Sequence, residues 1–253
     1  MSTSRFDDLS DVYEAMIDWP KRLAGDGPFF RAMFEQSGVR SLADIACGTG
    51  HHAAMFHSWG LGVVGTDLSS KMIAQAQAKF GTPDGLIWRV QGFEHPVPHD
   101  EPLDAVVCLG NSLALAPSHD VAQQAITQMV AALRPGGRIV LQVLNPWRLA
   151  DGPCLWQKCV RVDLPSGESL VTKGVQRVGA RAFVHLMVAP LDRPADFQSE
   201  SVPLLSFEAD QLSRYAESAG AVDVRLFGNH QHAGFDRSSS VDLILVAQKR
   251  HPK

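Results

Sequence analysis

A short apolar stretch followed by two closely spaced glycines places the strongest constraint on how this chain folds. Residues 42–46 predict a buried strand, and Gly48 and Gly50 predict a tight turn before an alanine-rich helix that starts near His51. Only glycine lets a backbone turn this sharply and come close to a ligand. Seventeen residues past Gly50, a second predicted strand ends in Asp67. Ligands of open α/β sheets bind beyond the carboxyl ends of strands, where an acid can accept hydrogen bonds from both ribose hydroxyls. The pattern therefore predicts a nucleoside-bearing cofactor.

Two cofactors fit this turn. Residues 48–53 match the G-x-G-x-x-A pattern of dinucleotide-binding proteins, which favours NAD. Asp44 precedes the glycines by four residues, at the end of the strand. A carboxylate aimed at the turn would repel a pyrophosphate but would suit the sulfonium and ammonium groups of S-adenosylmethionine. The alternative interpretation of Asp44 is a helix or turn cap.

The pattern Asp44-x-x-x-Gly48-x-Gly50 followed by Asp67 resembles the class I S-adenosylmethionine-dependent methyltransferases, and the order of predicted elements over residues 39–143 adds to the resemblance. That family implies an S-adenosylmethionine cofactor, with Leu68 and Met72 flanking the adenine ring. The family often places an acid after the third strand. This chain has Phe93 there, so either Phe93 packs on the adenine edge or Gln91 or Glu94 replaces the acid. The expected cofactor-binding residues are Asp44, Ala46, Gly48, Gly50, Asp67, Leu68, Met72, Gly92, Phe93 and Leu109.

The segment that follows the fourth predicted strand points to the acceptor. Residues 108–112 look like the corresponding segment of the glycine and sarcosine N-methyltransferases, in which the asparagine, here Asn111, faces the substrate. The segment lacks the proline and aromatic residue typical of methyltransferases that act on base amines. Asn145 and Arg148 follow the fifth strand, a substrate-facing position in this architecture. Tyr13 lies on an N-terminal segment that is long enough to fold over the site, although it could equally pack on the core. We expect Tyr13, Asn111, Asn145 and Arg148 to act on the substrate side.

The composition excludes several classes of protein. The net charge is −4 and the pI about 6.2, so no basic face is implied and a nucleic-acid partner is not expected. No apolar run reaches the length of a membrane span, and the first residues lack the apolar core of a secretory signal. Four cysteines without CxxC spacing predict neither a disulfide framework nor a zinc site, and the histidines lack a matching ligand set. We therefore expect a cytoplasmic protein without a metal.

Four parts of the chain are distinguished by their patterns. Residues 1–38 predict an N-terminal helical lid, which Pro20, Gly25, Gly27 and Pro28 are expected to break into two or three pieces. Residues 39–150 predict the S-adenosylmethionine-binding core. Residues 151–205 predict an antiparallel β insertion that serves as a cap or a homodimer surface, with three strands over residues 156–164, 168–178 and 181–191. Residues 206–253 complete the core sheet. The expected fold is α/β: a Rossmann-like, doubly wound, seven-stranded sheet, mostly parallel with the last strand antiparallel.

The leading functional hypothesis is a methyltransferase that acts on a small-molecule amine or amino-acid-like acceptor by in-line transfer. Positioning of nucleophile, methyl and sulfur contributes about 7–11 kcal/mol to such a reaction, so no catalytic triad is expected and a general base is optional. One alternative is an NAD-dependent oxidoreductase. The other is a non-catalytic S-adenosylmethionine-binding protein.

Overall fold

The computed structural model describes residues 3–252, and within them an α/β core carries a second, smaller sheet. The helices are α1 Thr3–Met16, α2 Trp19–Ser37, α3 His51–Ser58, α4 Ser70–Phe80, α5 His119–Ala132 and α6 Ala209–Ser218. The strands are β1 Ser41–Ile45, β2 Gly62–Asp67, β3 Leu86–Val90, β4 Leu103–Cys108, β5 Leu133–Leu144, β6 Cys154–Leu164, β7 Gly167–Val178, β8 Arg181–Pro190, β9 Gln198–Leu204, β10 Ala221–Phe227 and β11 Asp242–Lys249.

The core sheet has seven strands in the order β10-β11-β5-β4-β1-β2-β3. Strands β1 to β5 pair in parallel, whereas β11 runs antiparallel to both β5 and β10. The predicted seven-stranded sheet with an antiparallel last strand is thus confirmed. Because the parallel strands share one direction, the carboxyl ends of β1, β2 and β4 meet at the same edge of the sheet.

Helices cover both faces of this sheet. Side chains of α2, α3 and α4 pack on one face around Phe30, Phe56 and Ile73. Side chains of α5 and α6 pack on the other face around Ile126 and Leu212. The strands between the two layers read as almost continuous apolar runs, as expected for parallel strands that are buried on both faces.

The second sheet is antiparallel and has the order β6-β7-β8-β9. The sequence predicted three of these strands. The fourth, β9, escaped prediction because its sequence is polar and contains Pro203, while only Val202 and Leu204 are buried. We call this four-stranded sheet the cap sheet.

Helix α2 is continuous through Gly25, Gly27 and Pro28, where the sequence predicted breaks. Gly27 lies against the core, since a Cβ atom there would be 3.5 Å from Met55 Sδ and 3.7 Å from the Trp59 ring. Tertiary packing therefore outweighs the low helix propensity of these residues. Among the described residues, no helix is both long and apolar enough to cross a bilayer.

Candidate functional site

The predicted turn after β1 is present, and it lies beside the end of β2. Ala46 and Gly48 both adopt positive φ angles, 55° and 58°. The Gly48 N–H donates a hydrogen bond to Asp67 Oδ2 at 2.8 Å, and the Ser69 N–H donates to Asp67 Oδ1 at 2.9 Å. These two backbone bonds fix the orientation of the Asp67 carboxylate at the edge of the turn, and a carboxylate oxygen has two lone pairs with which it can accept hydrogen bonds.

A cavity of about 360 Å³ opens next to this turn, and we call it the cofactor cavity. Seven of the ten predicted cofactor residues line it: Ala46, Gly48, Asp67, Leu68, Met72, Gly92 and Phe93. Gln91 and Glu94, the two alternatives for an adenine contact, line it as well. The Glu94 carboxylate folds over Gly92, where a Cβ atom would be 2.5 Å from Glu94 Oε2.

Gly50 and Leu109 do not line the cofactor cavity. A Cβ atom on Gly50 would be 2.6 Å from the Trp88 ring, so this glycine allows close packing of α3 against β3 rather than close approach of a ligand. The Leu109 side chain is buried in the core cluster beneath the sheet. Any contact of Gly50 or Leu109 with the cofactor would therefore come from backbone atoms, and the cofactor role of both residues stays a prediction.

Asp44 also lies outside the cavity wall. It is 2% exposed, and its Oδ2 atom has no hydrogen-bond partner among the described residues. Burial and the nearby charge of Asp67 raise the pKa of Asp44 to about 8, against the opposing effects of the Ala53 N–H and Arg22. Without a ligand the carboxyl group is therefore mostly protonated at neutral pH. A bound cation would favour its ionised form, and the expected pairing of Asp44 with a cationic cofactor stays a prediction.

The residues present fit S-adenosylmethionine. A tight turn brings backbone N–H groups to the edge of the cavity, and a fixed carboxylate stands where a ribose would lie. Leu68, Met72 and Phe93 supply apolar contacts of the kind that suit the faces of an adenine ring.

A larger cavity of about 710 Å³ adjoins the cofactor cavity, and we call it the acceptor cavity. Tyr13, Met72, Gly110 and Leu115 line both. It lies between α1, α2, the end of β4 and the cap sheet. The core, the N-terminal helices and the insertion therefore all contribute to its wall.

Two of the four predicted substrate-side residues line the acceptor cavity, Tyr13 and Asn111. Burial raises the pKa of Tyr13, so its hydroxyl group stays protonated at neutral pH and can donate a hydrogen bond. Asn111 adopts a positive φ of 74°, and its Oδ1 atom accepts a bond from Leu144 N at 2.8 Å. Its Nδ2 group makes no hydrogen bond to a described residue.

The prediction of substrate contacts by Asn145 and Arg148 is not supported. Asn145 is 1% exposed, donates to the carbonyl oxygens of Arg237 and Ser240, and accepts a bond from Trp147 N. These bonds hold the loop between β10 and β11 in place and use both amide hydrogens. Arg148 lines neither cavity, and its Nε atom is buried without a partner among the described residues.

Two of the three histidines of α3, His51 and His52, are buried, whereas His57 is partly exposed. His51 stacks on Trp19 with ring centroids 4.0 Å apart, and its Nε2 atom lies 2.9 Å from Glu14 Oε1. Burial would raise the pKa of Glu14, but hydrogen bonds from Lys79, Thr49 and His51 together lower it to about 2. This cluster fastens the end of α1 to the turn.

Asp26 makes a similar connection from α2. His52 Nε2 lies 3.0 Å from Asp26 Oδ2, and His230 Nδ1 lies 2.9 Å from Asp26 Oδ1. Burial opposes ionisation of Asp26, but the two histidines outweigh it and hold the pKa of that carboxyl below its usual range. Within residues 3–252, no group of three His, Cys, Asp or Glu side chains is arranged to hold a metal ion.

Sequence reasoning missed Arg22, Lys158 and Lys173, which also line the acceptor cavity. They come from α2, β6 and β7, and nothing in their spacing along the chain links them. Only a prediction of how the cap sheet packs against α1 and α2 could have found them.

Comparison with known proteins agrees with this site. Residues 42–137 match the methyltransferase domain family. The glycine/sarcosine N-methyltransferase of Parasynechococcus marenigrum is 33% identical over 152 residues, which are 58% of this chain and 52% of that protein. The glycine N-methyltransferase of Rattus norvegicus is 29% identical over 141 residues, 51% of this chain and 48% of that protein. The chain thus spans about half the length of the curated relatives that it matches.

Solved structures share the fold over nearly the whole chain. The CcbJ methyltransferase from Streptomyces caelestis has a TM-score of 0.73 at 21% identity, covering 99% of this chain and 100% of that chain. The sugar N-methyltransferase KedS8 from Streptoalloteichus sp ATCC 53650 has a TM-score of 0.72 at 22% identity, covering 90% and 88%. The dinucleotide alternative receives no support from these comparisons. The strand order, the glycine turn beside Asp67 and the match to the domain family together show that residues 42–137 form a methyltransferase domain with the fold of the class I S-adenosylmethionine-dependent methyltransferases.

Proposed function

We propose that this protein transfers a methyl group from S-adenosylmethionine to an amine of a small molecule. The observation that carries the proposal is the junction of the two cavities. Tyr13, Gly110 and Leu115 line both, so a donor in the smaller cavity and an acceptor in the larger one would meet there. The relatives named as glycine and sarcosine N-methyltransferases, and the fold shared with a sugar N-methyltransferase, support nitrogen as the acceptor atom.

When bound, S-adenosylmethionine supplies a methyl group on a sulfonium leaving group. The chain then has to bind the methyl donor and the acceptor, orient them relative to each other, and exclude water. In this proposal Asp67 accepts hydrogen bonds from the ribose hydroxyls, while Leu68 and Met72 pack on the adenine faces. Tyr13 and Asn111 each offer a donor at the junction, which suits the orientation of an acceptor. Alignment of this kind supplies the main catalytic effect, so the amine is taken up in its deprotonated form and a dedicated base is optional.

We further infer that the N-terminal helices act as the lid predicted from the sequence. The contacts of Glu14 with His51 and of Asp26 with His52 and His230 support this role, because they hold α1 and α2 across the acceptor cavity. The expected absence of a nucleic-acid partner, the possible homodimer and the cytoplasmic location remain predictions from composition.

The test is a transfer assay with methyl-labelled S-adenosylmethionine and a panel of amines, carboxylates and phenols, run beside a calorimetric titration with S-adenosylhomocysteine. We expect S-adenosylhomocysteine to bind and amines alone to become labelled. Binding without transfer to any acceptor would instead favour a non-catalytic binding protein. Binding of NADH in place of S-adenosylhomocysteine would reject the proposal.

A further inference from the structure

Four cationic side chains line the acceptor cavity, and one of them is Lys21. We call the other three, Arg22, Lys158 and Lys173, the basic cluster. Lys158 and Lys173 stand directly opposite each other in the antiparallel pairing of β6 and β7. Like charges in this arrangement repel each other and destabilise a sheet. Arg22 approaches from α2, and its Nη2 atom would be 3.2 Å from a Cβ atom on Gly110. The cluster thus reaches the part of the cavity that adjoins the cofactor.

The described residues neutralise this cluster only in part, because four cationic side chains but only two acids, Asp18 and Asp26, line the cavity. Lys173 makes no hydrogen bond or ion pair with any described residue, and burial together with repulsion from Lys158 and Arg22 lowers the pKa of Lys173. Lys158 Nζ donates only to the Met16 carbonyl oxygen, at 2.9 Å. A cationic group that is partly removed from water without a partner lowers stability, so the arrangement points to an anion supplied by a ligand.

Acids around the cluster balance part of its charge. Arg22 Nε lies 3.5 Å from Asp26 Oδ2, so Asp26 pairs with Arg22 as well as with His52 and His230. Asp18 caps α2 by accepting a bond from the Lys21 backbone N–H. Asp242 acts on Lys173 without forming an ion pair with it, and burial raises the pKa of Asp242. The two lysines of the cluster therefore have no carboxylate partner among the described residues.

The rest of the cavity wall is mainly apolar. Its apolar residues include Met16, Ile17, Met72, Leu115, Val184, Leu186, Val202 and Leu204, of which the last four come from the cap sheet. A volume of about 710 Å³ lies within the range of sites that hold drug-sized ligands. An amino acid without a side chain would leave most of this wall uncovered.

We propose that the acceptor is an amphipathic amine with an anionic group, a carboxylate or a phosphate, held by Arg22, Lys158 and Lys173, and an apolar body packed against the cap sheet. This inference rests on the proposed function and deepens it, because it names the substrate class of the same site. Free glycine and sarcosine, which lack an apolar body, are then poor acceptors.

The test uses amines of matched length: 6-aminohexanoate, 6-aminohexyl phosphate and n-heptylamine, which has no anionic group, with glycine as the small amine that carries a carboxylate. We expect kcat/KM for at least one of the two long amines with an anionic group to exceed that for n-heptylamine and for glycine by tenfold or more. The higher kcat/KM of the two shows whether the site prefers a carboxylate or a phosphate. Equal kcat/KM for long amines with and without an anionic group, or glycine as the best acceptor, would overturn the proposal.

Substitutions in the basic cluster test whether these residues bind the anionic group. Arg22→Met and Lys173→Met should each lower kcat/KM at least tenfold for the preferred amine with an anionic group, and should reduce the ratio of that kcat/KM to the value for n-heptylamine. The affinity for S-adenosylhomocysteine should stay within twofold. Arg31→Met is the matched control, since Arg31 is on the same helix but lines neither cavity. If neither cluster variant changed the ratio of kcat/KM between the amine with an anionic group and n-heptylamine, the basic cluster would not be the anion site.

If no amine is methylated, the proposed function fails, and binding still decides this inference. Calorimetric titration of the S-adenosylhomocysteine complex should show 6-aminohexanoate or 6-aminohexyl phosphate binding at least tenfold more tightly than n-heptylamine. If Lys173→Met binds both kinds of amine equally, the result supports anion binding by the basic cluster. If the unmodified protein already binds both kinds equally, the inference is refuted.

Discussion

Replacing Asp67 by asparagine tests the central contact of the cofactor site. The carboxylate accepts bonds from Gly48 N at 2.8 Å and from Ser69 N at 2.9 Å. Asparagine keeps one acceptor oxygen, but it replaces the other oxygen with an NH2 group, which cannot accept a hydrogen bond and would face a backbone N–H. One charge-assisted bond to a ribose hydroxyl is lost, at roughly 1.5–3 kcal/mol, and the other becomes a neutral bond of about 1 kcal/mol. The summed loss, about 2–5 kcal/mol, corresponds to roughly 30- to 5000-fold weaker binding.

The measurement is calorimetric titration of the Asp67→Asn variant with S-adenosylhomocysteine. Asp104→Asn is the matched control, because Asp104 Oδ2 also accepts two backbone N–H bonds, from Arg40 at 2.8 Å and Ser41 at 3.0 Å, at the opposite edge of the same sheet. We expect the control to melt at a lower temperature yet to bind S-adenosylhomocysteine within about twofold of the unmodified protein. Unchanged affinity in Asp67→Asn, or an equal loss in Asp104→Asn, would refute the reasoning.

Four further substitutions address stability. Gly50→Ala should lower the free energy of unfolding by about 1–3 kcal/mol in urea titrations, because its Cβ atom would meet the Trp88 ring at 2.6 Å; an unchanged midpoint would contradict this packing. Asp44 has its pKa raised to about 8, so the stability it provides in the protonated form is lost as pH rises through that value. Asp44→Asn should therefore be more stable than the unmodified protein at pH 8 by on the order of 1 kcal/mol or more, and a parallel pH dependence of the two proteins would show that Asp44 is already ionised. Asp26 has a lowered pKa, so its contribution is present above about pH 4 and is lost as pH falls through the lower folded value. Asp26→Asn should cost about 1–3 kcal/mol at pH 7 and flatten the acid limb of the stability curve, whereas an unaltered acid limb would argue against the two histidine contacts. Asn145→Ala should lower the free energy of unfolding by about 1–3 kcal/mol without altering the affinity for S-adenosylhomocysteine. A higher KM for the acceptor with no loss of stability would instead indicate that Asn145 contacts the substrate.

Much of the fold was accessible from the sequence, and the misses have identifiable causes. Alternating strands and helices with buried apolar runs predicted the doubly wound core and its antiparallel last strand. Strand β9 was missed because two buried side chains, Val202 and Leu204, give too weak a pattern in a polar segment. The breaks predicted in α2 were wrong because packing of Gly27 against α3 holds the helix together despite its composition.

The residues of the cofactor cavity were predicted better than those of the acceptor cavity. Position after a strand says that a residue is near the site, but it does not give the direction of its side chain. Asn145 follows β5 as expected, yet it turns toward the loop that carries Arg237 and Ser240. Asp44 shows a related limit, since burial beside Asp67 changes its protonation state in a way that spacing cannot reveal.

By itself the sequence determined the cofactor half of this protein. A strand, a glycine turn and an acid at the next strand end lie close together along the chain, and their local backbone preferences fix the geometry wherever such a sheet forms. The tertiary structure decided most of the acceptor half, of which the sequence had predicted only Tyr13 and Asn111 as substrate-side residues. Arg22, Lys158 and Lys173 are brought to one cavity by the packing of the cap sheet against α1 and α2. Such contacts between distant segments depend on the complementary shape of whole surfaces, which no short stretch of sequence encodes.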